Sequence, residues 1–258
     1  MKTVTIRNTE IRFDPDKHRY YANGDNCYGT SSISDQDAEN GWRIPWAGNM
    51  CKAQAERELT DVIEGRIELD ELTLPDILKR IRGAPWKKST EAIDFGNAGH
   101  GFCEKFVLWK LGEGRKPQLP KNDDLKNAVM PFIEWDKENN PEYLASEEIV
   151  YWTNGDIDYA GTLDLRFRIN GKQAIGDFKT AKSIHKAEYV AQIGLYAMAL
   201  EYSLQEKIDS LWLFRLPKIP GDQFEVLTFP YTDKLKDHCK SLVYQRDFRA
   251  KLKEWLKK

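Results

Sequence analysis

The chain alternates between period-two and helical texture. From Thr3 to Phe13 apolar and polar side chains alternate (Val4, Ile6, Ile11, Phe13), and Asn23-Gly24 follows as a two-residue turn signal, so an N-terminal β-hairpin is predicted. The period then lengthens. Trp42 to Leu59 reads as a helix entered through Pro45, a residue that fits a first turn but not an interior. A second helix is predicted from Leu74-Pro75 to about Arg82-Gly83, and a third from Ser89 to Gly112, opened by a Ser or Thr cap and closed by glycine. At about 100° per residue, this third helix carries Phe95, Phe102, Phe106 and Trp109 on one stripe and His100, Cys103, Val107 and Leu111 on another. A helix apolar on two flanks packs on both, which places His100 inside the protein or against an interior cleft. Gly96, Gly99 and Gly101 weaken this helix by up to about 1 kcal/mol each relative to alanine, and close backbone approach is one reason to tolerate them.

After a polar link holding Pro117 and Pro120, and a helix over Leu125 to Lys137, the period of two returns. Tyr143 to Trp152, Ile157 to Ile169 and Gln173 to Phe178 read as strands joined by Asn154-Gly155-Asp156 and by Asn170-Gly171, the latter a strong hairpin signal. A helix from Lys186 to Tyr202, strands near Ser210 to Leu216 and Phe224 to Phe229, and a helix from Asp233 to Lys258 complete the chain. The order predicts an α/β fold with a mixed central sheet flanked by helices. Its 258 residues suffice for one core. The division expected is a single domain, 1–258, with an N-terminal hairpin and helical lobe over 1–85 and the core over 86–258.

Composition narrows the class only a little. The formal net charge is -2, which neither announces nor excludes a local basic groove. No apolar run approaches the ~20 residues of a membrane span, and the first residues lack the apolar middle of a signal peptide, so a cytoplasmic location is expected. Four cysteines (Cys27, Cys51, Cys103, Cys239) without a C-x-x-C pair argue against disulfides or a zinc knuckle.

The chemistry concentrates in Gly161-Thr162-Leu163-Asp164-Leu165 and Gly176-Asp177-Phe178-Lys179-Thr180. Asp177 and Lys179 flank Phe178 on a strand, so both point to one face and Phe178 to the other. Across the Asn170-Gly171 turn, Asp164 falls within reach of Asp177. A lone D…DxK is more often a surface charge cluster, but these three sit in apolar surroundings where a charge is costly unless paired or metal-bound. Two carboxylates beside a lysine suit a hard divalent cation such as Mg2+. Such an ion polarises a phosphate and lowers the pKa of water.

These residues resemble the PD-(D/E)xK nuclease superfamily, and within it the RecB-like exonuclease branch. The resemblance extends to Gly96-Asn97-Ala98-Gly99-His100 ahead of the sheet and to Gln192-Ile193-Gly194-Leu195-Tyr196 after the lysine, over roughly Gly96 to Tyr202. His18 to Tyr20 and Thr30 to Ser34 are similar to segments of stand-alone phage-type and mitochondrial members. It implies a restriction-endonuclease-like core and a metal-dependent DNA exonuclease working in recombination, repair or phage DNA processing, in the host cytoplasm if phage-encoded. Asp164, Asp177 and Lys179 would be catalytic; His100, Asp164, Asp177 and the main-chain carbonyl of Phe178 would hold Mg2+ or Mn2+. Gln192 and Tyr196, four apart and on one helix face, would contact the strand or order the site. Glu147 or Glu148 would supply a second-metal acid, and the spacing leaves open which; Glu104 is open likewise.

DNA as partner requires cations. Lys182 and Lys186 follow the catalytic strand, and Lys234 to Lys258 carries nine cations against three acids, although a solvated helix face is the commoner meaning of such a run. Trp42, Trp46 and Trp86 are candidates for base stacking. No G-x-x-x-x-G-K-[ST] loop is present, so ATP is not expected, and only Cys239 lies where iron-sulfur members place a cysteine triplet, so no cluster is expected. Two other readings remain: a nicking or flap-cutting endonuclease on the same site, and a non-catalytic DNA-binding or assembly module. The presence of all four core residues counts against the latter.

Overall fold

A computed structural model of the chain describes residues 2–218 and 221–257; Lys258, the expected end of the last helix, lies outside them. Among the described residues nine strands form one mixed sheet. The N-terminal alternation yields four strands where one hairpin was expected: β1 (Lys2–Ile6), β2 (Thr9–Asp14), β3 (Arg19–Ala22) and β4 (Asp25–Gly29), an antiparallel meander. Asn23 and Gly24 turn it with φ of 48° and 93°, the left-handed region these residues tolerate. The second turn signal, at Arg7-Asn8, has the same geometry without glycine, which is why the sequence pattern hid it.

β4 then pairs in parallel with β6 (Asp158–Ile169), Tyr28 opposite Tyr159 and Gly29 opposite Ala160. This contact makes the meander an extension of the central sheet. β5 (Glu142–Thr153) lies antiparallel along the other edge of β6, and β7 (Lys172–Lys179), β8 (Ser210–Arg215) and β9 (Glu225–Pro230) continue beyond it. The chain divides into two compact units, one of Met1–Ala38 with Ala98–Lys258, the other of Glu39–Asn97. Strand pairing ties the first 38 residues to the sheet of the larger unit.

In the larger unit, helix α5 (Ala187–Leu204) is buried from Ile193 to Leu200 without a polar side, as suits a helix covered on both flanks. It lies over Val150, Tyr159, Leu163, Ile175, Leu211 and Leu213, and is capped in turn by Cys239, Leu242 and Val243 of α6 (Asp233–Trp255). A second layer is aromatic. Phe132 and Trp135 of α4 (Asp123–Asn139) pack edge-on against Phe167, Phe178, Trp212 and Phe214 of the sheet. A short helix, α1 (Thr30–Ser34), with a 3-10 turn at Asp35–Asp37, follows β4 and packs on α5; the sequence pattern was too brief to reveal it.

The smaller unit holds α2 (Arg43–Ile63) and the first part of α3 (Leu74–Lys110). Within it the buried Glu58 accepts from Arg80 through both carboxylate oxygens, at 2.7 and 2.6 Å, and from Gln54 at 2.7 Å. The two helices expected at 74–83 and 89–112 are one helix of 37 residues running through Pro85. Proline deletes one donor and crowds the preceding turn. The helix formers on either side, from Ile77 to Arg82 and from Lys87 to Phe95, carry it across.

Candidate active site

The sheet forks at the residues the sequence singled out. Along one edge of β6, β4 pairs with Tyr159 and Ala160 and β7 pairs from Leu165 onward, so the backbone between them is free of both neighbours. Asp164 stands where β7 peels away. Thr30 of α1 closes the upper part of the gap, its hydroxyl donating to the carbonyl of Ala160 at 3.1 Å. Only glycine fits at position 161, since a Cβ there would meet Thr30 Oγ1 and come within 2.6 Å of Tyr196 Cε1. On the far edge, Glu147 lies between the pairs Ser146 with Leu165 and Glu148 with Leu163, and so falls opposite Asp164. Its φ is 51°. Leu163 packs in the core beneath α5 while Phe167, four residues on, packs with Trp135 and Phe214, so the strand changes face at this point.

A continuous set of contacts runs through the fork. His100, near the C-terminal end of α3, places Nδ1 3.5 Å from Asp164 Oδ2, and the same oxygen accepts the Phe178 backbone N–H at 2.8 Å. Lys179 Nζ lies 2.6 Å from Asp177 Oδ2 and donates to Gln192 Oε1 at 2.8 Å. Gln192 Nε2 in turn donates to the hydroxyl of Tyr196 at 3.2 Å. Four elements therefore deliver His100, Asp164, Asp177, Lys179, Gln192 and Tyr196 to one place. Phe178 points away, its ring 4.9 Å from Phe132 and 6.0 Å from His100, as strand alternation requires. Gly99 supports the position of His100: a Cβ there would sit 3.3 Å from Leu216, whereas Gly101 faces open space and has no such reason.

Burial governs the electrostatics. Asp177 is 2 % exposed; burial pushes its pKa up to about 6 against the opposing pull of Lys179, with Asp164 adding to the rise. Burial works against the charge on Lys179, but Asp177 and Asp164 outweigh it and raise its pKa, so the ammonium persists. Burial also raises the Tyr196 hydroxyl well above its usual value, keeping it neutral. Glu147 is pushed up to about 8, first by burial and then by the proximity of Asp164 and Glu104, with Lys2 opposing.

The remaining candidates separate. Glu148 is turned to Arg166, bound through both oxygens at 2.8 and 3.2 Å, and is thereby occupied, whereas Glu147 falls opposite Asp164 in the strand register, and the charges of Asp164 and Glu104 help to raise its pKa. Lys182 and Lys186 lie outside the hydrogen-bonded set: Lys182 is exposed, and Lys186 stands at the N-terminus of α5, 3.7 Å from Glu188. Tyr189, which sequence reasoning missed, lies between Lys179 and Lys186, with their ammonium groups 5.1 and 5.2 Å from its ring centre. Its position three residues before Gln192, on the same helix face, was the available signal. Trp42 and Trp86 of the smaller unit are exposed, and Trp46 stacks edge-on to Trp42.

Among the described residues no three His, Cys, Asp or Glu side chains lie close enough to grip an ion unaided, and the ammonium of Lys179 lies against Asp177. The donor set nevertheless suits a hard cation. Asp177 Oδ2 is buried, and its one close polar neighbour among the described residues is the Lys179 ammonium at 2.6 Å. Mg2+ takes one or two carboxylates and keeps several waters, so it does not require three protein side chains in one cluster.

No family model matches this chain, and no curated protein matches it. Solved structures match more loosely. A protein from Eubacterium rectale, provisionally assigned as an exonuclease, shares 14% identity over 60% of this chain at a TM-score of 0.42; this chain spans 65% of it. An alkaline exonuclease from Laribacter hongkongensis shares 10% identity over 63% of this chain and 90% of its own, at a TM-score of 0.36. The same exonuclease in complex with dAMP matches at 12% identity, 61% and 82% coverage and a TM-score of 0.34. Likeness at this level carries no functional weight, and what the chain does is argued from its own side chains.

Proposed function

We propose that the chain is a metal-dependent nuclease, acting as a DNA exonuclease that hydrolyses phosphodiester bonds. One observation carries this reading: an imidazole, two carboxylates, a lysine, a glutamine and a tyrosine, scattered from position 100 to 196, meet at a fork in the sheet through contacts of 2.6 to 3.5 Å. A structural charge cluster would not need Asp177 buried and Lys179 largely withdrawn from solvent, at a desolvation cost that only tight pairing or a bound cation offsets.

His100, Asp164 and Asp177, with the carbonyl of Phe178, would hold Mg2+ or Mn2+, and Glu147 is the better placed of the two glutamates to add a further acid. Bound there, such an ion would polarise a phosphate and lower the pKa of water. Lys179, kept protonated by two aspartates, would donate a hydrogen bond to the attacking water and offset charge growing on the phosphorus oxygens. Gln192, oriented by the Tyr196 hydroxyl, fixes the direction of the ammonium. Asp164, fastened to the Phe178 N–H, stays aimed into the fork without needing a second side chain to position it.

The test is cleavage of single-stranded and duplex DNA, labelled at one terminus and supplied with Mg2+ or Mn2+, with a circular substrate to separate end-directed from internal cutting. Lys179→Ala and Asp177→Ala should each lose activity by about a hundredfold or more, the scale expected for removing a group that stabilises developing charge. Cleavage by either variant at the parent's rate would remove this reading.

A further inference from the structure

The outer half of α6 leaves a row of rings uncovered. Tyr244, Phe248 and Trp255 are 52 %, 55 % and 59 % exposed, Leu252 lies between them, and spacings of three and four residues put all four on one side of the helix. Phe248 and Trp255 stand edge to face at 6.2 Å. The helix already buries its other side through Cys239, Leu242 and Val243, so this stripe is not needed for the core.

Beside the stripe, a groove of about 350 Å³ runs between α6 and the α1 segment, lined by Ser32, Asp35, Gln36, Arg246, Arg249 and Lys253 among others. Arg246 holds its guanidinium 5.5 Å from the centre of the Tyr28 ring, and its Nε is buried without a hydrogen-bond partner. On the opposite flank Lys251 is paired to Asp247 at 2.7 Å. From Arg246 to Lys257 there are five cations and two acids, 5 - 2 = +3. Exposed rings bordered by cations match the alternation of base and phosphate in an unpaired strand: rings stack on any base and cations follow the backbone. Protein hot spots also favour Trp, Tyr and Arg, so the choice of a polynucleotide rests on the positive balance of this segment and on rings and cations following one another along the same helix.

We infer that this face binds single-stranded polynucleotide, with bases on Tyr244, Phe248 and Trp255 and phosphates against Arg246, Arg249 and Lys253, apart from the cluster around Lys179. The inference builds on the nuclease reading, which makes a polynucleotide the natural ligand, but uses none of the residues of the fork.

Anisotropy of a fluorescein-labelled oligothymidylate, with the full chain in EDTA so that no cutting occurs, tests it. Phe248→Ala with Trp255→Ala, and separately Arg249→Glu with Lys253→Glu, should each weaken binding about tenfold. The charge-reversed pair should also flatten the salt dependence by about 1.4 in log-log slope, for two lost phosphate contacts. Lys172→Glu with Lys207→Glu, an equal charge change at exposed positions elsewhere, should bind within about twofold of the parent. The inference is overturned if the parent binds no oligonucleotide, if both α6 variants bind as the parent does, or if the control falls as far as they do. It is equally overturned if the α6 changes only release the chain from phosphatidylserine vesicles, or only dissociate a dimer in sedimentation, with oligonucleotide affinity unchanged. Cleavage of labelled DNA is followed in parallel: α6-dependent binding without cleavage removes the nuclease reading and leaves this one, and cleavage with α6-independent binding does the reverse. Melting curves of all variants confirm folding.

Discussion

Gly161 shows how closely the fork is built. A methyl group added there would collide with the Thr30 hydroxyl and the Tyr196 ring, and neither can withdraw without breaking a contact to Ala160 or to Gln192. Gly161→Ala should destabilise the fold by about 1–3 kcal/mol, the usual scale of overpacking, with cleavage falling as Tyr196 is displaced; a urea midpoint and a rate measurement check both. Glu147 is the second telling residue. Its carboxyl, ordinarily ionising near 4.5, holds its proton to about 8 in the folded chain. Between those values the unfolded chain is ionised and the folded one is not, so this group makes metal-free protein progressively less stable as pH rises from about 4.5 to about 8, and adds no further slope above that. Glu147→Gln should flatten that decline in melting temperature, measured in EDTA from pH 5 to 9. In sequence, Asp164, Asp177 and Lys179 were legible because alternation across Phe178 sets their direction whatever the rest of the fold does. The choice between Glu147 and Glu148 was not, because it depends on a left-handed backbone at Glu147 and on Arg166, 18 residues beyond Glu148 and on the neighbouring strand.

Elements came through unevenly for a physical reason. Strands β5, β6 and β7 and helix α5 lie within a few residues of where apolar periodicity puts them, since each is bounded by turn-forming residues or, for α5, an extended Lys186 and a left-handed Gln205. α3 did not, because Gly83 and Pro85 look like punctuation and only the flanking helical turns override them. Pro85→Ala restores a backbone donor and removes the ring, and should raise stability by about 1–2 kcal/mol; unfolding in urea reads this directly. An unchanged or lower midpoint would mean that the helix is adapted around the ring. α4 and α6 start where a side chain accepts from the third residue on, Asn122 from Leu125 at 2.8 Å and Thr232 from Leu235 at 3.3 Å, as N-caps do.

At the scale of the molecule, the topology was the part least visible beforehand. The parallel union of β4 with β6 joins Tyr28 to Tyr159, and no local signal spans such a separation. The same scale carries a thermodynamic test of the metal reading. An ion that binds the folded chain and not the unfolded one stabilises it by mass action, about 2.7 kcal/mol at a hundred times its dissociation constant. Mn2+ or Mg2+ should therefore raise the melting temperature of the parent and of Gly101→Ala, and leave that of Asp177→Ala where it was. Equal shifts in parent and Asp177→Ala would place any bound ion elsewhere.

The long-range strand pair also bears on how the polypeptide reaches its native form. During synthesis the first four strands leave the ribosome well before their partner exists, and the outer edge of β4 waits with unanswered amides and carbonyls while some 130 residues follow. Pairings of such sequence separation are slow to find, and an unsatisfied edge invites pairing with other chains in the interval. Expression of this protein should thus benefit from added chaperone supply, read as the soluble fraction with and without it.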